Sequence, residues 1–193
     1  ERRKFLDIEL SQMERLYLYQ LTNYNKILIQ RNNLLKQIRF QNNLIDTLEA
    51  WDIQLVKYGS EVIKYREKFI KHLGEVCQKI HNKLTGGKEQ ILLEYDRNVG
   101  YDSYLTELKK KRQKDLKYFT TTVGPHRDDI SFVVNGIDIR KYGSQGQQRT
   151  AALSLKLAQI QLMREVMKES PILLLDDVLS ELDSNRKTYL LES

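Results

Sequence analysis

The sequence predicts a mixed α/β protein, in which a long, coiled-coil-like helical arm is followed by an α/β lobe. Three observations predict this fold class. The first 85 residues have helical periodicity and no proline, and only Gly59 and Gly74 interrupt them. After Gly86-Gly87 the period changes, and short alternating segments indicate strands. The composition, with 40% hydrophobic and 30% charged residues, is sufficient for a packed core.

Composition also limits the class of protein. The single cysteine, Cys77, excludes an internal disulfide framework and fits a reducing cytoplasm, so we expect a cytoplasmic location. The longest aliphatic run, residues 172–175, is far shorter than the roughly 20 residues of a membrane span. The net charge of +6 permits an anionic partner such as nucleic acid. Because the chain starts without Met and stops inside a predicted helix, we expect it to be a fragment of a longer protein.

Two apolar stripes at steps of three and four residues predict two long antiparallel helices, joined near residues 39–43. The first stripe contains Leu10, Met13, Tyr17, Ile27, Leu34 and Ile38. The second contains Leu44, Leu48, Trp51, Leu55, Tyr58, Val62, Tyr65, Phe69, Leu73, Val76, Ile80 and Leu84. Gln20 and Arg31 occupy polar positions of the first stripe, which argues against a dry seam. We interpret residues 1–86 as a projecting arm, because both stripes are long; the alternative is an ordinary helical subdomain.

Residues 87–193 alternate between strand and helix patterns. In chain order, the predicted elements are a strand at 89–95, a basic helix at 101–117, a β-branched segment at 120–123, a hairpin over 130–139 that turns at Asn135-Gly136, a helix at 147–168, an aliphatic strand at 172–175 and a last helix that opens at Ser184-Asn185. His72 and His81 are expected to be ordinary arm residues.

The aliphatic strand ends in two carboxylates, Asp176 and Asp177. A continuous apolar run is typical of a buried parallel strand, and open α/β sheets place ligands at the carboxyl ends of such strands. In nucleoside triphosphatases, one such acid holds Mg²⁺ and a neighbour often orients the attacking water. Asp176 suits the metal role and Asp177 the general base. The alternative is a core strand followed by a polar turn.

A small polar loop, Gly143–Gly146, leads into the helix predicted at 147–168. The N-terminus of a helix carries unpaired N–H groups and the positive end of the helix dipole. Ser144 offers a hydroxyl, and Gly146 lets the backbone approach an anion closely. The pattern therefore suits phosphate binding. The alternative is an ordinary N-cap at Ser144.

The order of these elements resembles the second half of an ABC-type ATPase head. In that resemblance the Ser144 loop is the signature motif, the strand before Asp176 is Walker B, and Ser180–Asp183 is the D-loop. Longer matches make the resemblance more specific. The segments Gly124–Asp129, Tyr142–Thr150 and Leu173–Asp183, with Trp51-Asp52 in the arm, resemble the bacterial RecF family of DNA replication and repair proteins.

The resemblance implies domains, cofactors and partners. Residues 1–86 correspond to the arm and 87–193 to the C-terminal part of the head. ATP and Mg²⁺ would be the cofactors, and the chain would work as an ATP-dependent homodimer. The resemblance further implies binding to double-stranded, gapped and single-stranded DNA, partnership with RecO and RecR, and help in placing RecA on single strands. The implied site residues are Ser144, Gln145, Gly146, Gln147 and Asp183 for the nucleotide, Asp176 for the metal, and Asp177 for catalysis.

Two departures from the family pattern bear on activity. No G-x-x-x-x-G-K-[ST] motif occurs in the 193 residues, so the isolated chain is expected to be inactive as an ATPase. In the family, that phosphate loop lies in a lobe before the arm. Gln145 stands where many ABC signatures carry glycine.

For three features the sequence leaves alternative interpretations open. The basic run Lys109, Lys110, Lys111 and Arg112 could contact DNA phosphates, or be a solvated helix face. His126 and Arg127 could touch DNA, a partner or the nucleotide, or lie in a structural loop held by pairing of Arg127 with an aspartate. The whole chain could instead act as a non-catalytic module that recruits a repair partner. A sequence-specific DNA reader has no helix-turn-helix or zinc motif to support it.

Overall fold

The computed structural model describes residues 2–168. Its helices are α1 (Arg2–Met13), α2 (Arg15–Ile38), α3 (Leu48–Thr85), α4 (Tyr104–Lys110), α5 (Arg112–Tyr118), α6 (Ile139–Tyr142) and α7 (Gln145–Met167). Its strands are β1 (Ile91–Asp96), β2 (Asp129–Val134) and β3 (Ile137–Asp138), in the sheet order β1-β2-β3. The predicted mixed α/β class is confirmed. The predicted strand at 172–175 and the acids Asp176, Asp177 and Asp183 lie outside the described residues.

The two predicted long helices are α2 and α3, with corrected bounds. The first stripe crosses a break at Glu14, whose extended backbone (φ −137°, ψ 102°) ends α1 and caps α2 by accepting a hydrogen bond from the Leu16 amide. The second stripe starts too early, since Asn42–Thr47 form a 3-10 helix before α3. The 38 residues of α3 nevertheless make one unbroken helix, about 57 Å long at 1.5 Å per residue.

The chain divides into two compact units, and α3 contributes to both. The first unit contains residues 1–69 and 95–130; the second contains 70–94 and the residues after 130. The division at residue 86 into arm and head remains a prediction about function. None of the helices among residues 2–168 is both long and apolar enough to cross a membrane.

The short elements after α3 differ from their predicted form in two places. The helix predicted at 101–117 is two helices, because Lys111 (φ −88°, ψ 1°) leaves the helical conformation between α4 and α5. The β-branched segment 120–123 forms neither a helix nor a strand. The Asn135-Gly136 turn is confirmed, with φ of 49° and 80°, and joins β2 to β3 antiparallel. Strand β3 ends after two residues, so Ile139 begins α6 and does not continue the hairpin.

Arg66 of α3 is the centre of a buried polar cluster in the first unit, and only 2% of its surface is exposed. Its guanidinium donates to Asp7 at 2.7 Å, to the hydroxyl of Tyr17 at 3.0 Å, to the carbonyl of Pro125 at 2.7 Å and to Asp128 at 3.1 Å. These partners come from α1, α2 and the segment before β2. A buried charge is tolerated only with such partners, so this one side chain ties four segments together.

A second buried arginine, Arg31 of α2, lies in the predicted apolar stripe and is fully buried. It donates to Asp52 at 2.7 Å, and to Asp115 and the hydroxyl of Thr121 at 2.8 Å each. Arg112 donates to the second oxygen of Asp52 at 2.7 Å. Two cations and two carboxylates therefore neutralise one another, which explains why a polar residue is stable within that stripe.

The first prediction concerns the cost of removing the Arg66 charge. Arg66→Ala leaves Asp128 buried and without its cation, so we expect the free energy of unfolding to fall by about 3–5 kcal/mol in urea titrations. The matched control is Arg97→Ala. Arg97 pairs with Glu67 on the surface with 53% of its side chain exposed, and we expect a change of at most about 1 kcal/mol. Equal losses in the two variants would contradict the account of the cluster.

Candidate phosphate-binding site

The turn before α7 is shaped by a close backbone approach at Gly143. The Gly143 amide donates to the carbonyl of Ile139 at 3.0 Å, which closes the single turn of α6. A Cβ at Gly143 would lie 2.5 Å from that carbonyl oxygen, a distance that real side chains do not tolerate. Glycine is therefore required here because there is no space for a side chain. Its backbone conformation is not the reason, because other residues also adopt a φ of −73°.

Ser144 is the N-cap of α7, and it forms a capping box with Gln147. The Ser144 hydroxyl accepts from the Gln147 amide at 3.2 Å, and the Gln147 side-chain oxygen accepts from the Ser144 amide at 3.0 Å. The helix begins at Gln145, two residues earlier than predicted, so Gly146 lies in its first turn and not in a loop. The N-cap role of Ser144 is observed. Phosphate binding remains a prediction.

The capping box leaves donors for an anion. The first amides of a helix have no intrahelical acceptor, and among residues 2–168 no hydrogen bond is found for the amides of Gln145 and Gly146. The Ser144 oxygen accepts in the capping box, so its own hydrogen can donate outward. Ser144, Gln145 and Gly146 are all exposed. A Cβ at Gly146 would meet only the Ser144 hydroxyl, at 3.9 Å, so the backbone there is open to a ligand.

A series of side-chain hydrogen bonds inside the second unit supports this turn. The Gln147 side-chain amide donates to Glu89 at 3.1 Å, and the other oxygen of Glu89 lies 3.2 Å from Nε2 of His81. Nδ1 of His81 lies 2.9 Å from the hydroxyl of Ser154, back on α7, and Ser154 donates to the carbonyl of Thr150 at 2.8 Å. This series of hydrogen bonds thus connects the cap of α7 to α3 and then returns to α7.

His81 is therefore not an ordinary arm residue as predicted. It is fully buried and bridges α3 to α7, whereas the exposed His72 fits the prediction and lies 3.4 Å from Glu165. No local sequence signal indicates the role of His81 or Glu89, because their partners lie 58 and 73 positions away along the chain. Sequence reasoning could at most have noted that Glu89 follows the Gly86-Gly87 break.

The other half of the predicted site lies beyond the described residues. The distances from Ser144 to Asp176, Asp177 and Asp183 are not established. Among residues 2–168 no group of three or more His, Cys, Asp or Glu side chains is arranged to hold a metal ion. The metal role of Asp176 and the general-base role of Asp177 stay predictions from the sequence.

The basic run at 109–112 is largely engaged with carboxylates of its own unit. Lys109 pairs with Glu49 at 2.9 Å, Lys110 with Glu107 at 2.6 Å, and Arg112 with Asp52 at 2.7 Å. Lys111 is exposed. The lysines keep about half of their surface in water or more, 47% for Lys109 and 64% for Lys110, so contact with DNA phosphates remains a prediction.

The Gly124–Asp129 segment is a structural loop, but among residues 2–168 Arg127 forms no ion pair with an aspartate, which was one of the alternatives. Asp128, only 1% exposed, accepts from Arg66, from the hydroxyl of Tyr95 and from the Asn98 amide. Arg127 is exposed, and its guanidinium lies 3.4 Å from the carbonyl of Thr121. Gly124 has φ of 134°, and a Cβ there would lie 2.2 Å from the hydroxyl of Tyr104, so glycine is required.

His126 is held neutral in this loop. Its Nε2 lies 2.9 Å from the carbonyl of Thr121 and therefore donates, and its Nδ1 accepts from the hydroxyl of Tyr24 at 2.6 Å. Burial is the main cause that lowers the pKa of His126 to about 4; the positive charges of Arg127 and Arg3 act in the same direction, and the Thr121 carbonyl opposes them. The imidazole carries no charge at neutral pH, so it offers no cation to DNA phosphates.

The second prediction follows from this pKa. The folded state binds the neutral form of His126 and disfavours the protonated one. The contribution of the neutral imidazole to stability is therefore complete above pH 6.5 and is lost as the pH falls toward 4. We expect the difference in unfolding free energy between the wild type and His126→Gln to fall by about 2 kcal/mol over that range. Burial raises the pKa of Asp128, which acts in the opposite direction but is common to both proteins and cancels. Parallel pH profiles would contradict the prediction.

The third prediction tests the hydrogen bonds that support the cap. In a double-mutant cycle of Glu89→Ala and Gln147→Ala, we expect a coupling energy of about 1 kcal/mol from urea unfolding, since the two side chains share a hydrogen bond. The control cycle pairs Glu89→Ala with Gln161→Ala. Gln161 lies on α7 and bonds Glu165, so its coupling to Glu89 should be close to zero. Zero coupling in both cycles would show that the contact does not hold the cap.

The chain is similar over its whole length to curated RecF proteins. The "DNA replication and repair protein RecF" of Agathobacter rectalis is 55% identical over 193 residues, which cover 100% of this chain and 53% of that relative. The RecF of Lachnoclostridium phytofermentans is 56% identical over 193 residues, again 100% of this chain and 54% of the relative. No family model matches the chain.

Solved structures give the same result for the fold. A structure described as the recombination mediator protein RecF with ATP, in the RecFOR pathway, matches with a TM-score of 0.92 and 40% identity, over 99% of this chain and 53% of that one. A second RecF structure of that pathway matches with a TM-score of 0.89 at 40% identity. The chain thus spans about half the length of the relatives it matches. On sequence and fold together, it corresponds to about half of a RecF protein.

Proposed function

We propose that this chain supplies one face of a composite ATP site in a RecF-type DNA-repair ATPase. The Ser144 turn caps the γ-phosphate of ATP that another copy holds. The observation that supports this proposal is the exposed start of α7, where Ser144, Gln145 and Gly146 present donors with no acceptor among the described residues. The similar RecF structure with ATP supports triphosphate as the ligand.

Each residue of the turn has a chemical role in this proposal. The Ser144 hydroxyl and the amides of Gln145 and Gly146 donate to phosphate oxygens, and the positive end of the α7 dipole adds to the attraction. Gln147 keeps the cap in shape through its bonds to Ser144 and Glu89. The donors fit a phosphate group, because they are exposed and no side chain of residues 2–168 other than that of Ser144 comes within 4 Å of a Cβ placed at Gly146.

The acids after residue 175 complete the proposed mechanism. Asp176 would hold Mg²⁺, since carboxylates are ligands that this ion prefers, and the ion would supply positive charge to neutralise the phosphates. Asp177 accepts a proton from the attacking water, and Asp183 lies at the interface between two copies. These assignments rest on the position of the acids after the strand predicted at 172–175 and on family similarity.

ATP then joins two copies, and hydrolysis releases them. ATP stabilises the dimer only to the extent that it binds the dimer more tightly than the monomer. The proposed task is binding to DNA at the border of duplex and single strand, with RecO and RecR as partners, to place RecA on the single strand. Lys109, Lys110, Lys111, Arg112 and Arg127 are the proposed phosphate contacts. The name of the pathway in the similar structures supports this assignment.

A second candidate is a non-catalytic module that recruits a repair partner. The absence of a phosphate loop from these 193 residues favours it for the chain by itself. The two candidates differ when the missing N-terminal lobe is supplied in trans. ATP-dependent dimerisation would then support the ATPase half, and a partner complex that is indifferent to nucleotide would support the module.

The fourth prediction concerns a full-length RecF protein containing this chain, with dimerisation measured by sedimentation in ATP. Ser144→Asp keeps an N-cap side chain but places a negative charge beside the phosphate, so we expect at least a tenfold weaker dimer. Ser144→Asn is the matched control, since it caps equally well without charge, and it should lose much less. Asp177→Asn should act in the opposite direction and trap the ATP-bound dimer, because the water is no longer activated.

Two results would contradict the proposal. Equal dimerisation of Ser144→Asp and Ser144→Asn would show that no anion approaches this turn. Dimerisation of Asp177→Asn no better than that of the parent would remove the general-base assignment. Melting temperatures of the two Ser144 variants should agree, which separates loss of the ligand from loss of the helix cap.

A further inference from the structure

An aromatic and cationic cluster lies in the first unit, where the end of α2 meets the end of α5. We call it the end cluster: Arg39, Phe40, Lys117, Tyr118 and Phe119. The Arg39 guanidinium lies 5.7 Å from the ring centre of Phe40 and 5.5 Å from that of Phe119. The Lys117 ammonium lies 5.6 Å from the ring centre of Tyr118. These distances are typical of cation–π contacts.

Two rings of the end cluster face water to an unusual extent. Phe40 is 81% exposed and Tyr118 is 57% exposed. Burial of an aromatic side chain contributes strongly to folding, so a phenyl ring this exposed contributes little to the core. The cations beside the rings allow this arrangement in water and leave the other ring faces accessible to a ligand.

The backbone beneath these rings is anchored. Leu116 packs against a buried cluster that contains Leu34, Ile38 and Leu48. The preceding residue, Asp115, is fully buried and accepts from Arg31 and Thr122. A ligand at the end cluster would therefore meet side chains on a fixed base, and less ordering entropy would be lost on binding.

The two segments that carry the rings are mainly cationic. Residues 36–41 and 112–119 contain the cations Lys36, Arg39, Arg112, Lys114 and Lys117. Their single acid, Asp115, is buried and bonded to Arg31, and Arg112 is bonded to Asp52. Lys36, Arg39, Lys114 and Lys117 are all exposed. These two segments therefore carry a net positive charge, which complements a polyanion.

We propose that the end cluster binds single-stranded nucleic acid, with unpaired bases stacked on Phe40 and Tyr118. Exposed aromatic rings among lysines and arginines are the combination with which proteins bind single strands, since every unpaired base offers a flat face and every nucleotide a phosphate. A duplex hides its base faces, so it can use the cations but not the rings. This proposal deepens the DNA-binding part of the proposed function and is independent of the Ser144 turn and of ATP.

The fifth prediction tests it with the 193-residue chain and a fluorescein-labelled oligothymidine, by anisotropy. We expect Phe40→Ala and Tyr118→Ala each to weaken binding about tenfold, the usual effect of losing one stacked base. Binding of a duplex of equal length should change less than twofold, because paired bases do not reach the rings. Lys117→Ala should weaken both ligands, since phosphates are common to them.

Tyr19→Ala is the matched control. Tyr19 lies on α2, is 57% exposed like Tyr118, and packs edge-on against Tyr58 outside the end cluster. Its loss should leave both affinities unchanged. The proposal is overturned if the wild type does not bind the oligothymidine, if Tyr19→Ala loses as much as Tyr118→Ala, or if the ring substitutions weaken duplex and single strand equally. The result is separate from the ATP-dependent dimerisation, which tests the Ser144 turn.

Discussion

The burial of the Arg66 charge is the constraint on which the first unit depends. A guanidinium removed from water is stable only if carboxylates and carbonyls surround it. Arg66 obtains these partners from α1, α2 and the segment 125–128, so those segments must come together. Arg31 makes the same demand on α2, α3 and α5. Charge pairing of this kind specifies which elements meet, whereas apolar stripes alone would permit several packings.

At the start of α7 the polar groups are not all paired with one another, in contrast to the buried arginine clusters. Helix ends always present unpaired amides, and proteins satisfy them with caps, water or ligands. Here Ser144 and Gln147 satisfy two amides between themselves, and no acceptor for the amides of Gln145 and Gly146 is found among residues 2–168. The hydrogen bonds of Glu89 to Gln147 and to His81 hold the Gln147 side chain in place. The proposed binding of an anion at this turn would need no rearrangement of its backbone.

The parts of the fold that could be predicted are those encoded locally. Helical stripes, the Asn135-Gly136 turn and the N-cap at Ser144 all follow from residues within a few positions of one another. The break at Glu14 and the split at Lys111 involve no glycine or proline, so a stripe that continues through them gives no warning. The sequence also gave no indication of the hydrogen bonds of His81, because its partners on α7 are distant in the chain. For the candidate site, the serine turn was located from sequence and its support was missed.

The central claim is that the Ser144 turn closes on a triphosphate held by a second copy. The most direct measurement is the structure of a full-length RecF protein containing this chain, bound to a non-hydrolysable ATP analogue. The account predicts a symmetric dimer with the Ser144 hydroxyl about 3 Å from a γ-phosphate oxygen of the nucleotide bound to the other subunit. A nucleotide-bound dimer in which Ser144 touches neither nucleotide would contradict it.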